Sequence, residues 1–79
     1  KAERVFLKLL AMFTDQGRRV NHAGGPTYAP KLFSQHPESE GCNKRAMKAA
    51  MEALLAHGKI RVAEEGRPSK RRSFLEVAG

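Results

Sequence analysis

The stretch that decides the fold runs from Asn43 to Val77. It reads Asn43-Lys44-Arg45-Ala46-Met47-Lys48-Ala49-Ala50-Met51-Glu52-Ala53-Leu54-Leu55-Ala56-His57-Gly58, then Lys59-Ile60-Arg61-Val62-Ala63, then Glu64-Glu65-Gly66-Arg67-Pro68-Ser69-Lys70-Arg71-Arg72, then Ser73-Phe74-Leu75-Glu76-Val77. Asn43 suits a helix N-cap, because its side-chain oxygen can accept from a backbone N–H that the first turn leaves free. Met47, Ala50, Met51 and Leu54 recur at helical spacing and point inward, with Leu55 at the margin; Arg45, Ala49, Glu52 and Ala56 lie opposite, flanked by Lys44 and Lys48. Gly58 is a stop signal. Beyond it, Lys59–Ala63 and Ser73–Val77 alternate as two strands of a hairpin, placing Ile60, Val62, Leu75 and Val77 inward and Phe74 outward. Nine of the fifteen lysines and arginines fall in this stretch.

Working outward, residues 2–16 read as a first helix: Ala2, Val5, Phe6, Leu9, Leu10 and Phe13 share one face, and Gly17 stops it. The aromatic stripe is core. Arg18–Pro26 is a connector in which Arg19-Val20-Asn21 suits a short strand and His22-Ala23-Gly24-Gly25-Pro26 a turn. The glycine pair is not a phosphate loop, since no Gly-Lys-Ser/Thr follows. Thr27 reads as the N-cap of a second helix, Tyr28 to about His36, with Pro30 in its first turn and Tyr28, Leu32 and Phe33 facing inward. Pro37 ends that helix, and Pro37–Cys42 turns on Gly41. Two helices joined by such a turn make a helix-turn-helix pattern. The expected architecture is therefore α+β: three helices followed by a C-terminal β-hairpin, the order of a winged helix.

The composition bounds what this domain does. Seventy-nine residues make one domain. A chain of this size buries only about 60% of its unfolded surface, so its core is small. No apolar run approaches the roughly 20 residues of a membrane span. A net charge of +7 favours a polyanionic partner over a solvated basic surface. Cys42 is the sole cysteine, which excludes an intrachain disulfide and fits a reducing cytoplasm. The chain begins at Lys1 rather than Met, which reads as a fragment excised from a longer protein.

A major groove about 12 Å wide accepts one helix, with its N-terminal residues nearest the base edges. Here those are Asn43, Lys44, Arg45 and Lys48. Cations at a helix N-terminus oppose the macrodipole, so three of them there favour function over accident. At the hairpin tip Arg67, Lys70, Arg71 and Arg72 are suited to the phosphate backbone or to a narrow minor groove, whose negative potential draws arginine in. Gly66-Arg67-Pro68 resembles the centre of an AT-hook, although Glu65 departs from that motif's basic flank. Arg18 and Arg19 add phosphate contacts if the connector lies close. The competing reading of these charges is a solvated face and a turn kept from aggregating.

Metal and catalytic chemistry are not indicated. His22, His36, Cys42 and His57 match no zinc module, and nothing orients a nucleophile beside a base near Ser34, His36 and Ser39. The sequence points to no cofactor. A second reading makes the module a docking domain, with Phe74, Leu55 and Leu7 as an exposed contact patch.

A resemblance bears on these readings. Tyr28-Ala29-Pro30, Phe33, His36-Pro37-Glu38, Gly41, Ala50-Met51, Leu54, Gly58, Ile60 and Gly66-x-Pro68-Ser69-x-x-Arg72-Ser73 resemble the C-terminal segment of proteobacterial and phage RecA-like ATPases related to the plasmid replication helicase RepA. The similarity extends from about Val5 to Val77; its most specific parts are the Tyr-Ala-Pro and Gly-x-Pro-Ser elements. It implies a winged-helix tail behind an ATPase core, a bacterial cytoplasmic setting, and double-stranded DNA, a replication protein or the ATPase domain itself as partner. It also implies that these residues, lacking Walker motifs, do not hydrolyse ATP. Phe74 stands where a polar or basic residue is expected in that pattern.

Overall fold

A computed structural model describes residues 1–69 and 71–78. Three helices precede a two-stranded antiparallel hairpin: α1 (Ala2–Asp15), α2 (Ala29–Ser34), α3 (Lys44–Ala56), β1 (Ile60–Glu65) and β2 (Arg72–Val77). The molecule is a small mixed α+β unit.

Helix α1 buries Val5, Phe6, Leu9, Leu10 and Phe13, the apolar stripe of the sequence. Its C-terminus closes with two backbone bonds, Gly17 N–H to Thr14 O (3.0 Å) and Arg18 N–H to Phe13 O (2.8 Å). That pair defines a Schellman motif, which needs a left-handed residue at Gly17, and its φ is +74°. Helix α3 ends the same way: Gly58 N–H reaches Leu55 O and Lys59 N–H reaches Leu54 O. At its other end Asn43 Oδ1 accepts from Ala46 N–H at 2.8 Å, the cap expected from the sequence.

Helix α2 starts differently. Tyr28, not Thr27, is its N-cap, and Tyr28 makes no side-chain cap bond. The free N–H of Ala29 is taken instead by Asn21 O at 2.9 Å, while Asn21 Nδ2 donates to Thr27 Oγ1 at 2.7 Å. Asn21 Oδ1 also accepts from the N–H groups of Ala23 and Gly24, which folds the connector into a tight turn. Residues 19–21 do not form the short strand expected of them. Asn21 makes only an isolated bridge to Tyr28, and Val20 O accepts from Leu75 N–H at 2.8 Å. Helix α2 also stops at Ser34, two residues before His36.

The core lies where the three helices meet the hairpin. Phe33 of α2 contacts two α1 phenylalanines edge-on: Phe6 at 4.8 Å and Phe13 at 5.1 Å between ring centroids. Such pairs contribute about 0.5–1.5 kcal/mol each beyond their burial. Met47, Met51 and Leu54 of α3 close one side, and Ile60 and Leu75 of the hairpin another.

The hairpin corrects two expectations. Ile60 and Leu75 are buried, but Val62 and Val77, on the same face, are 40% and 42% exposed. Alternation identified the face correctly; the helices cover only part of it. Phe74 stands on the other face, opposite Ala63, yet it is only 8% exposed. The Arg19 guanidinium lies over its ring at 4.2 Å, so the connector covers what the strand pattern alone would leave open.

Candidate nucleic-acid interface

The basic residues fall into two groups according to what already holds them. Five ion pairs are present among the described residues: Arg4–Glu40, Lys8–Glu38, Arg19–Glu65, Arg61–Glu76 and Arg71–Glu64. Two of the residues singled out in the sequence, Arg19 and Arg71, are therefore tied to carboxylates. Of these two Arg19 is held more firmly, with Nε at 3.2 Å and Nη2 at 3.4 Å from the two Glu65 oxygens and its guanidinium carbon 4.2 Å from the Phe74 ring centroid. Arg71 Nη1 sits 3.6 Å from Glu64 across the hairpin. Arg18 lies over the Phe13 ring at 4.1 Å, at the turn that ends α1.

The α3 N-terminus is different. Its first turn carries no acidic residue. Arg45 and Lys48 are exposed and have no carboxylate within ion-pair distance among the described residues. The Lys44 ammonium is 5.7 Å from the Tyr28 ring centroid, near the outer limit of a cation–π contact. Asn43 is held in a structural role. Its oxygen accepts the cap bond, which fixes the side chain against the helix end and leaves it less free than Arg45 to turn toward a base edge. That leaves Arg45 as the residue of this turn best fitted to a base edge.

At the hairpin end, Arg67 and Arg72 are exposed and free of carboxylate partners among the described residues. Lys70 lies outside the described residues. Lys1, Arg18, Lys31 and Lys59 are likewise exposed without an ion pair among the described residues, but they are scattered; the unpaired basic residues that cluster in the chain are Lys44, Arg45 and Lys48 on α3, and Arg67 and Arg72 on the hairpin. Contacts of α3 with β1 join the helix that carries the first group to the hairpin that carries the second.

A cleft of about 420 Å³ lies between the connector and the hairpin, lined among others by Arg19, Asn21, Thr27, Glu65, Arg72 and Phe74. The sequence did not single out Asn21 or Thr27 for this place. An asparagine shortly before a Gly-Gly pair is a recognisable turn signal, since its side chain can bond the backbone two and three residues on. Asn21 does this with Ala23 and Gly24.

Among the described residues no group of three or more His, Cys, Asp or Glu side chains is placed to hold a metal ion, and no helix is long and apolar enough to cross a membrane. No protein-family model, no curated protein and no solved structure matches this chain.

Proposed function

We propose that this chain is a winged-helix domain that binds double-stranded DNA. Helix α3 enters the major groove, and the hairpin tip lies on the backbone or in the minor groove as the wing. The observation that carries this reading is the distribution of unpaired charge. Carboxylates neutralise Arg4, Lys8, Arg19, Arg61 and Arg71, whereas Lys44, Arg45 and Lys48 stand together at one helix N-terminus with none among the described residues. The first turn of a helix is an unfavourable place for two cations, here Lys44 and Arg45, unless an external anion completes it, and Lys48 adds to them one turn on. Arg45 reads a base edge; Lys44, Lys48, Arg67 and Arg72 bond phosphates. With a single residue suited to base reading, sequence preference is slight and backbone contact supplies most of the affinity.

The element order supports the winged-helix assignment, with α2, a turn and α3 followed at once by the hairpin. The likeness of Tyr28-Ala29-Pro30 and Gly66-x-Pro68-Ser69 to the tail of RepA-related ATPases supports a position behind a replication or recombination ATPase in a bacterial cytoplasm. On this reading the ATPase core performs the catalysis and this domain performs none. Docking to that ATPase through Phe74 loses its anchor, because the ring is already covered by Arg19.

The test is fluorescence anisotropy of a short labelled duplex with the chain and two charge-reversed variants, one at Lys44, Arg45 and Lys48 and one at Arg67, Lys70, Arg71 and Arg72. Loss of binding in both variants, with thermal unfolding unchanged, supports the reading. Absence of wild-type binding at low salt overturns it.

A further inference from the structure

We infer that the cleft between the connector and the hairpin is a phosphate site, guarded in the free protein by Glu65. In its nucleic-acid form the inference rests on the DNA-binding reading above; the cleft itself does not.

Four features converge there. Glu65 and Arg72 are cross-strand partners, which puts their side chains on one face of the hairpin, where opposite residues have Cβ atoms about 4.5–5.5 Å apart. Arg19 reaches Glu65 from the connector side. Arg19 holds Glu65 while Arg72, on the same face, has no carboxylate within ion-pair distance among the described residues, so two guanidiniums and one carboxylate line the cleft and leave it an uncompensated positive charge.

The second feature is a backbone donor. Leu75 N–H points away from β1, to Val20 O. N–H directions alternate along a strand, so the N–H of Ser73, two residues earlier, points to the same edge. It has no backbone partner among the described residues, and Ser73 lines the cleft.

The third feature is Thr27. Its oxygen accepts from Asn21 Nδ2, which leaves its O–H free to donate, and it too lines the cleft. The fourth is Phe74, whose ring lies 4.2 Å from the Arg19 guanidinium carbon and gives that side chain a second contact besides Glu65. An arginine fork, a backbone N–H and a hydroxyl are the donors a tetrahedral oxyanion uses. Glu65 occupies the Arg19 fork until a phosphate displaces it. A backbone phosphate of a bound strand and free inorganic phosphate share this chemistry.

Two titrations separate them. In the first, inorganic phosphate is added to the chain and backbone amide resonances are followed. The Ser73 amide should shift saturably in the wild type. The shift should vanish in R72Q and saturate at lower phosphate in E65Q, and R19Q/E65Q should lose that gain. An unmoved Ser73 amide, or the same response in R72Q, overturns the site.

In the second titration a labelled duplex replaces phosphate. E65Q should bind more tightly, because Arg19 no longer has to release a carboxylate before it meets a phosphate. The gain should disappear when Arg19 is also replaced. A gain that persists in R19Q/E65Q reflects only the lost negative charge and overturns the guarded site while leaving DNA binding intact. Saturable phosphate binding without duplex binding would fell the DNA reading and leave the cleft as a site for free phosphate.

Discussion

Replacing Phe74 with alanine should destabilise the domain severely, and the size of the loss follows from where the ring sits. It is 8% exposed, on the face of β2 opposite the one that carries Leu75, and covered by the Arg19 guanidinium at 4.2 Å. Truncating a buried phenylalanine costs about 3–5 kcal/mol. The hairpin position favours the lower end, because neighbours on an edge can partly collapse into the gap. Loss of the cation–π contact adds about 0.5–1 kcal/mol. The total is about 3–5 kcal/mol, against roughly 4–12 kcal/mol for a whole domain of this length. At roughly 4–8 °C per kcal/mol for a small domain, Tm should fall by about 12 °C or more. Phe74→Leu keeps most of the volume and loses only the ring, so it should cost about 1–2 kcal/mol. Thermal unfolding followed by far-UV circular dichroism reads both variants. A Tm within about 3 °C of wild type for Phe74→Ala would refute the burial and return Phe74 to the surface, where alternation along the strand had placed it.

Other expectations are more local. Gly58 holds φ +70° with nothing within 4 Å of where a Cβ would stand, so Gly58→Ala meets no clash and its cost is the left-handed backbone alone, about 1 kcal/mol by urea denaturation. Asn43→Ala removes the α3 cap and should cost about 1 kcal/mol, whereas Asn43→Asp should keep the cap and remain near wild type in stability. Because Asn43 is committed to the cap, Asn43→Asp should weaken duplex binding only through its added charge, equally for all sequences; a change in sequence preference would show that the side chain reads a base. Arg45→Gln should flatten any sequence preference in a competition assay with unrelated duplexes, while Lys48→Gln should weaken binding evenly across them.

How much the sequence disclosed depended on how far apart the interacting residues lie. The α3 boundaries were legible because Asn43 bonds three residues ahead and Gly58 closes the turn just before it. The α2 start was misread because its first N–H is satisfied by Asn21, eight residues upstream, rather than by Thr27. Alternation gave the correct hairpin face but not its covered length, so Val62 and Val77 are far more exposed than expected. The covering of Phe74 depends on Arg19, which lies in a different part of the chain. The same separation hid the state of the charges. The Arg19–Glu65 pair spans 46 positions, and no local pattern announces that this arginine is occupied while Arg45 is open.

The most direct measurement of the DNA-binding claim is the salt dependence of duplex affinity, followed by anisotropy. Lys44, Arg45, Lys48, Arg67 and Arg72 carry no carboxylate partner among the described residues. If those five neutralise phosphates, log K against log salt should fall with a slope of about −4.5, and by about 0.9 less for each one replaced by glutamine. Binding with that slope, reduced stepwise in the variants, is the expected result. A slope near zero, or no binding at low salt, would contradict the reading.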